Sequence, residues 1–332
     1  MIRVWFNHWF STSYRLIELM KEEKDVVVIG SNSQKNSVIQ KVCDEWYGEP
    51  DVSGDEYVDY CLQFCREKKI DVFVPRREMV AVSRRKAEFL ENGVKVMVDD
   101  YHIIQLLNDK AATYDLFRDC PGIHVPDYAI VNTAEEFEEA YLELRKQYDQ
   151  LCVKFVKDEG GMSFRRIVEQ VDRFDSIRSY SRVAVEFATY LEILKTEERF
   201  DDLMVMPYLP GDEISVDCLA TSNGLLAVPR IKGNSRDERI VFDEQLLHMA
   251  ELVMDKIQLD YPCNIQFKVK DNIPYLLEIN TRMSGGLQMS CLGAGVNIPG
   301  IALCKMLGRE TRWKLDKKDR IVSYIEIPQI IC

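Results

Sequence analysis

The 332-residue chain has neither of the two common glycine signatures of nucleotide binding. It contains no G-x-x-x-x-G-K-[ST], and no G-x-G-x-x-G follows its first apolar run, so neither a P-loop nor a Rossmann dinucleotide site is supported. No apolar stretch reaches the roughly 18 residues of a membrane span. The opening MIRVWFNHWF lacks the basic start, apolar run and small-residue cleavage site of a signal peptide, and it reads as a first strand. The ten cysteines are scattered, with no CxxC pair and no Cys/His cluster at zinc spacing. They read as reduced thiols rather than a disulfide framework, which makes the cytoplasm the expected compartment. A basic excess is missing too. The formal net charge of -12 argues against a nucleic-acid binder, although a local basic pocket for phosphates stays compatible with it. There is no internal repeat and no low-complexity linker.

What is present is a globular composition, long enough for two or three domains. Ile2 to Phe6, Val26 to Ile29, Val72 to Val74 and Val94 to Val98 are short apolar runs. Helical patterns alternate with them at Tyr14 to Lys24 (N-cap Ser11 or Ser13), Val38 to Val42, Tyr57 to Lys68 and Ser83 to Asn92. Strand–helix alternation predicts a doubly wound parallel sheet. Polar residues follow the strands: Asn7, His8, Ser31, Asn32 and the run Pro75-Arg76-Arg77-Glu78. Ligands in such sheets sit at the carboxyl ends of strands, but polar loops also occur on any surface.

From Tyr101 a new pattern begins. Asn108 or Asp109 caps a helix with Lys110 in its first turn, where the helix dipole disfavours a cation unless an anion binds beside it. Taken alone, Lys110 reads as a solvated surface residue. An acidic helix follows at Ala134 to Gln147. Lys154 lies in the middle of the apolar strand Leu151 to Val156, and a buried lysine needs an anionic partner or loses its proton. That strand leads through Gly160, Gly161 and Ser163 into a second strand from Phe164 to Val168. Backbone N–H groups of such a loop can cradle phosphates, although a plain hairpin tip has the same sequence features. Residues Asp172 to Phe200 read as helices or a surface insertion. Met206-Pro207-Tyr208-Leu209 ends a strand in a proline bend that leaves backbone groups for an adenine edge, and Glu213 beyond it could take both ribose hydroxyls. A basic cluster, Arg230, Lys232, Arg236 and Arg239, follows as a loop. Helices are expected at Glu244 to Lys256 and Ile301 to Leu307, and a last strand at Ile321 to Ile327.

Asn264 to Gly286, NIQFKVKDNIPYLLEINTRMSGG, reads as a hairpin with Asp271-Asn272-Ile273 as its turn. Opposed positions then sum to 544, setting Gln266 against Glu278 and Asn264 against Asn280. Ile265, Phe267, Leu277 and Ile279 would share the apolar face. The polar face is either an oxygen-rich patch for Mg²⁺, which takes few protein ligands, or a solvated face.

In this order the segments resemble the ATP-grasp superfamily, most closely its carboxylate–amine ligases and the ATP-binding halves of carbamoyl phosphate synthetase and biotin carboxylase. The resemblance covers roughly Asn108 to Gly286. It implies an α/β and α+β architecture: a pre-ATP-grasp doubly wound domain over 1–100, a first ATP-grasp subdomain over 101–205 and a second over 206–332. It implies that Lys110 and Lys154 hold ATP phosphates under a loop of Gly160, Gly161 and Ser163. Met206, Pro207, Tyr208 and Leu209 would meet adenine and Glu213 the ribose, while Gln266, Glu278 and Asn280 would hold Mg²⁺ (or Mn²⁺). Arg282 would stabilise the transferred phosphoryl group, with Ser284 and Gly285 near the reacting carboxylate. Arg230, Lys232 and Arg236 are the candidates for the acid substrate. Two departures stand out: Gln266 where many relatives carry glutamate, and Asp158-Glu159 in a loop where relatives carry Gly or Ser.

The implied activity is ADP-forming amide synthesis through an acyl phosphate, from a small-molecule carboxylate and an amine. The alternatives are carbamoyl or carboxy phosphate chemistry on bicarbonate, or an ATP-binding module without turnover. Neither nucleic acid nor a membrane is an expected partner. Many members of the superfamily are dimers, but no stretch of this chain marks a homodimer interface.

Overall fold

The computed structural model of the protein describes residues 1–8, 11–34, 36–157, 161–171, 174, 183–233 and 236–331. Asp158, Glu159 and Gly160 lie outside the described residues, as do most of 172–182. Two compact units form. One comprises Met1–Leu107, Asp212–Gln266 and Ile279–Cys332; the other comprises Asn108–Gly211 and Phe267–Glu278.

Along the chain, the first unit opens with β1 (Ile2–Phe6), β2 (Val26–Asn32), β3 (Glu45–Gly48), β4 (Val72–Val74) and β5 (Lys95–Val96), in spatial order β3-β2-β1-β4-β5. Every pairing is parallel, as the strand–helix alternation predicts. The pleat sends Val4, Phe6, Val28, Val72 and Val74 into one core, against the helix Ser13–Lys21. Trp5, Ile29 and Phe73 go into another, against Tyr57, Val58, Cys61, Leu62 and Cys65 of the helix Gly54–Lys68. β3 was not expected: Glu45–Gly48 is half-buried, short and polar at its start, so it carries little alternation. The expected helix Ser83 to Asn92 is two helices, Met79–Arg84 and Lys86–Glu91. Thr12, not Ser11 or Ser13, stands at the N-cap of the first helix.

The second unit holds β6 (Ala129–Val131), β7 (Leu151–Phe155), β8 (Arg165–Val168), β9 (Ala184–Glu186) and β10 (Leu203–Pro207), ordered β6-β10-β7-β8-β9. Leu151, Val153, Leu203 and Val205 pack under the helices Ala134–Leu144 and Phe187–Leu194. Cys152, Met204 and Met206 line the opposite face with Tyr114 of the helix Lys110–Phe117.

A third sheet runs β15-β14-β11-β12-β13-β16, from β11 (Glu213–Thr221), β12 (Gly224–Lys232), β13 (Asp237–Ile240), β14 (Cys263–Lys270), β15 (Ile273–Asn280) and β16 (Arg320–Ser323). The basic segment expected to be a loop is therefore largely β12 and β13. Residues of this sheet, including Leu219, Leu226, Val228 and Ile240, share the first unit's core with Leu287 and Ile298. Those two begin the helices Leu287–Ala294, which was not expected, and Ile298–Met306. That apolar pair is bent by 101°, and among the described residues no single helix is long and apolar enough to cross a membrane. All nine described cysteines are free thiols, six of them buried.

The hairpin turn corrects the expected arithmetic. Asp271 and Asn272 both have positive φ and form a two-residue turn, so Ile273 begins the return strand. Lys270 then opposes Ile273 rather than Pro274. Phe267 and Leu276 are both fully buried, whereas Leu277 is only half-buried. Ile279 is buried as well, an odd number of positions beyond Leu276, so strict alternation breaks between them and the turn alone does not set which residue faces Gln266.

Two buried titratable groups in the first unit carry opposite pH signatures. Burial, with Arg76 and Arg282 adding to it, holds the His8 imidazole down from 6.5 to about 3. Burial pushes the Asp99 carboxyl up from 3.8 to about 6. The unfolded chain protonates His8 below 6.5, so its contribution to stability is present above that pH and is lost as pH falls toward 3. Asp99 works the other way, favouring the fold below 3.8 and losing that advantage as pH rises through 6. His8 has the larger shift. Urea unfolding at pH 6.5 and pH 4 should show a His8→Gln variant losing about 3 kcal/mol less on acidification than the wild type, with Asp99 common to both.

Candidate active site

Lys154 lies on β7 directly opposite Met204 of β10, and its pleat position shares a face with Cys152 and Met206. Its side chain is buried, as the strand pattern predicts, and Nζ donates to the Tyr114 hydroxyl at 3.1 Å. Tyr114 in turn donates to the Leu277 carbonyl at 2.9 Å. Burial first, and the charge of Glu278 second, push the Tyr114 phenol well above its ordinary value, so it stays a donor. Lys110 is buried as well, not the surface residue it reads as alone. Asp109 caps its helix by accepting from the Ala112 N–H, and Lys110 Nζ donates to the Val156 carbonyl at 3.3 Å. Both lysines thus belong to the same unit and are held by neighbours at their stems and heads.

The glycine loop and hinge are less open than expected. Ser163 Oγ accepts from the Phe155 N–H at 2.9 Å, closing the hairpin neck, and Gly161 takes φ +67, which suits glycine. Gly160 lies outside the described residues. Met206 and Pro207 pair with Cys152 and Leu151 across the ladder, and the Tyr208 N–H is taken by the Gln150 carbonyl at 2.9 Å. Leu209 is buried. The expectation of spare backbone groups at this bend therefore does not hold for the Tyr208 N–H.

The first unit contains the densest polar cluster. Ser215 of β11 opposes Arg230 of β12, which opposes Ile240 of β13, so Asp217, Arg230 and Glu238 share one face of three adjacent strands. Arg230 is 2% exposed and Asp217 0%. Arg230 Nε donates to Asp217 Oδ2 at 2.9 Å, Nη1 to Glu238, and Nη2 to Ser284 Oγ at 3.0 Å. Burial alone would lower the arginine's pKa; the two carboxylates outweigh it and raise it above its ordinary value. Asp217 also accepts from Ser284 Oγ (2.8 Å), Ser290 Oγ (2.6 Å) and Asn264 Nδ2 (2.7 Å). Arg230, expected on a solvated loop to meet an acid substrate, is instead buried with all three of its nitrogens donating within the protein. Lys232 is ion-paired with Glu213, the residue expected to meet ribose, and Arg236 with Glu326 on the surface. Gly285 receives a long hydrogen bond from Tyr324 Oη at 3.5 Å. Arg282 lies close enough to His8 for its charge to act on the imidazole. At the strand ends, Asn7 donates to Tyr57 Oη and accepts the Arg76 N–H, while Asn32 donates to the His8 carbonyl. These polar groups knit the sheet edge together.

Asp217, Glu238, Ser290 and Tyr114 escaped the sequence reading. A signal existed for Asp217: it interrupts the apolar strand ISVDCLA just as Lys154 interrupts LCVKFV.

Two family models match. "PylC-like, N-terminal domain" covers residues 11–97, and "ATP-grasp in the biosynthetic pathway with Ter operon" covers residues 199–328. Over residues 199–328 the chain is thus similar to an ATP-grasp family. The carbamoyl phosphate synthase large chain of Thermoanaerobacter sp. (strain X514) is 23% identical over 303 residues, 86% of this chain and 26% of that protein. That of Pseudothermotoga lettingae is 20% identical over 319 residues, 92% and 27% respectively. The chain thus spans about a quarter of the length of these curated relatives. Among solved structures, a Campylobacter jejuni biotin carboxylase in complex with β-γ-ATP superposes with TM-score 0.70 at 17% identity, covering 94% of this chain and 72% of that one. Staphylococcus aureus N5-carboxyaminoimidazole synthetase with ADP gives 0.68 at 12%, covering 96% and 81%.

Among the described residues no three His, Cys, Asp or Glu side chains gather as a metal site. By residue type, the expected Gln266, Glu278 and Asn280 would bring one carboxylate and two amides, an oxygen chemistry that fits a hard cation completed by phosphate and water.

Gly286 tests the Arg230 cluster. A Cβ built there would lie 2.3 to 2.5 Å from the Arg230 guanidinium, which is pinned by two carboxylates and cannot step aside. Gly286→Ala should therefore lower unfolding free energy by about 3 kcal/mol in urea titrations, the cost of breaking a buried ion pair. A Gly285→Ala control, whose Cβ would meet only Thr12 Oγ1 at 3.4 Å, should cost far less.

Proposed function

We propose that this chain is an ADP-forming, ATP-dependent ligase that joins a small-molecule carboxylate to an amine. The observation that carries the reading is that the ATP-grasp match over residues 199–328 takes in the hinge, the metal strands and Arg282 in one stretch. Two further lysines, Lys110 and Lys154, sit buried in the preceding unit.

In this reading a carboxylate oxygen of the substrate attacks the γ-phosphorus of ATP, and the bond to the departing ADP oxygen breaks. The amine nitrogen then attacks the acyl carbon of the resulting acyl phosphate, inorganic phosphate leaves, and the nitrogen loses a proton. Such a reaction needs positioning and charge neutralisation rather than a nucleophilic side chain. Lys110 and Lys154 hold phosphate oxygens, with Gly160, Gly161 and Ser163 as the loop above them. Met206, Pro207, Tyr208 and Leu209 line adenine, and Glu213 reaches the ribose if it exchanges Lys232 for it. Gln266, Glu278 and Asn280 hold Mg²⁺ or Mn²⁺, which when bound neutralises charge on the phosphate oxygens. Arg282 meets charge developing on the transferred group. Ser284 and Gly285 lie beside the reacting carboxylate, with Lys232 and Arg236 at the acid substrate. Arg230 supports that loop from beneath instead of meeting the substrate itself.

A second reading, in which the acid is bicarbonate, is favoured by the similarity to carbamoyl phosphate synthase large chains. Phosphate release from ATP and Mg²⁺ should be measured with amino-acid pools and, separately, with bicarbonate alone. Stimulation by a carboxylate and an amine together, with an amide product by mass spectrometry, supports the ligase; turnover with bicarbonate alone supports the second reading. Under the stimulating condition, Arg282→Ala should reduce kcat about 10²–10³-fold, as loss of one transition-state donor does, while ATP still binds by calorimetry. An Arg282→Ala variant as fast as the wild type would remove the assignment.

A further inference from the structure

The metal strand carries a hydrogen-bond chain whose direction can be read without seeing hydrogens. It starts at Asp217, where a carboxylate paired with Arg230 can only accept. Asn264 approaches Asp217 Oδ1 at 2.7 Å and must therefore present its NH₂ to it. The oxygen of the same amide then points the other way, and the Gln266 side chain meets that Oδ1 at 3.1 Å, so Gln266 must donate with Nε2. Its nitrogen committed, Gln266 has Oε1 left to offer. We propose that Asp217 and Asn264 are positioning residues that turn the Gln266 amide so that its oxygen, not its NH₂, is presented to the divalent cation. The proposal rests on the reading of Gln266 as a metal ligand.

Asp217 is well suited to set this direction. Four donors converge on it: Arg230 Nε, Asn264 Nδ2, Ser284 Oγ and Ser290 Oγ. They match the roughly four lone-pair sites of a carboxylate, which leaves it no spare orientation. An amide turned the wrong way would aim two N–H donors at a cation, so a group that fixes the rotamer and the flip acts on metal affinity. The chain also gives a reason for glutamine at position 266. A carboxylate there would face Asn264 Oδ1, acceptor against acceptor, and Asn264 cannot flip without losing Asp217.

The test uses Mn²⁺ with ADP, following free Mn²⁺ by electron paramagnetic resonance on the full chain. Gln266→Ala should weaken Mn²⁺·ADP binding, which checks the ligand assignment by itself. Gln266→Glu should also weaken it, about tenfold, although it adds a negative charge to the site. Asp217→Asn alone should do the same by opposing donor to donor. Asp217→Asn combined with Gln266→Glu reverses the polarity of every link, so binding should recover toward wild type; a merely structural role for Asp217 would make the double variant worse than either single one. Should Asp217→Asn fail to fold, Asn264→Ala leaves the Arg230, Ser284 and Ser290 contacts of Asp217 in place and should still cost about tenfold. Unchanged affinity in Asn264→Ala, tighter binding in Gln266→Glu, or no recovery in a folded double variant overturns the relay. Loss in Gln266→Ala with none in Asn264→Ala overturns the relay alone and leaves the ligand assignment standing. No loss in Gln266→Ala overturns both.

Discussion

The first unit is built around a guanidinium that water does not reach. Arg230 sits mid-strand in the third sheet, and removing such a charge from solvent costs several kcal/mol before any partner is counted. The cost is offset only because β11 and β13 bring Asp217 and Glu238 to its two sides and Ser284 caps the third direction. Once that arginine is fixed, much else is fixed with it. Residue 286 must be glycine because a Cβ would strike the guanidinium. Ser284 is held from two sides, by Arg230 and by Asp217, so the loop after Arg282 has a floor. Ser290 ties the first turn of the helix Leu287–Ala294 to the same carboxylate. Truncating either charged partner leaves the other buried and uncompensated, which is why such clusters resist piecemeal change.

The second unit meets a related difficulty by milder means. Lys154 projects from a strand into a face of Cys152, Met204 and Met206, and the Tyr114 hydroxyl accepts a hydrogen bond from its ammonium. That hydroxyl cannot become a second charge, because burial and the nearby Glu278 carboxylate keep it protonated. It passes the hydrogen bond on to a backbone carbonyl of β15.

Alternation and length carried most of the fold. The parallel sheet, the buried lysine strand and the hairpin strands follow from periods of two and 3.6 that any core imposes. What escaped follows from contacts that have no local trace. β3 and β9 are three or four residues of weak pattern, paired into sheets by neighbours distant in sequence. The hairpin turn is one residue shorter than the sequence suggests, which moves the opposed pairs next to it. Leu276 and Phe267 reveal the shift only once burial is known. The basic segment after Val228 misled for a different reason. Arg230 shares a strand face with Val228 and Lys232, but charge composition suggested a loop, and the compensating Asp217 and Glu238 lie thirteen residues before and eight after it. The burial of Lys154 was legible because a cation inside an apolar strand shows in one stretch of pattern. The Arg230 cluster needed three strands to be seen at once.

Placing the cations inside also resolves the overall charge. A chain of formal net charge -12 would repel a nucleotide if its field acted as a whole. At physiological ionic strength, charges farther than about 8 Å from a site are largely screened when they face solvent. Surface pairs such as Arg236 with Glu326 are largely self-neutralised as well as screened. Buried groups are screened far less, and the same unit charge at 4 Å counts for roughly four times more at an effective dielectric of 20 than in water. In the proposed reading, the buried Lys110 and Lys154 therefore count for more at a bound phosphate than the same number of charges spread over the surface. In the proposed reading Glu278 is the only acid among the three residues that would hold the cation, so they would add little repulsion toward phosphate, and the oxygen of Gln266 would supply coordination without charge once the amide is turned to offer it.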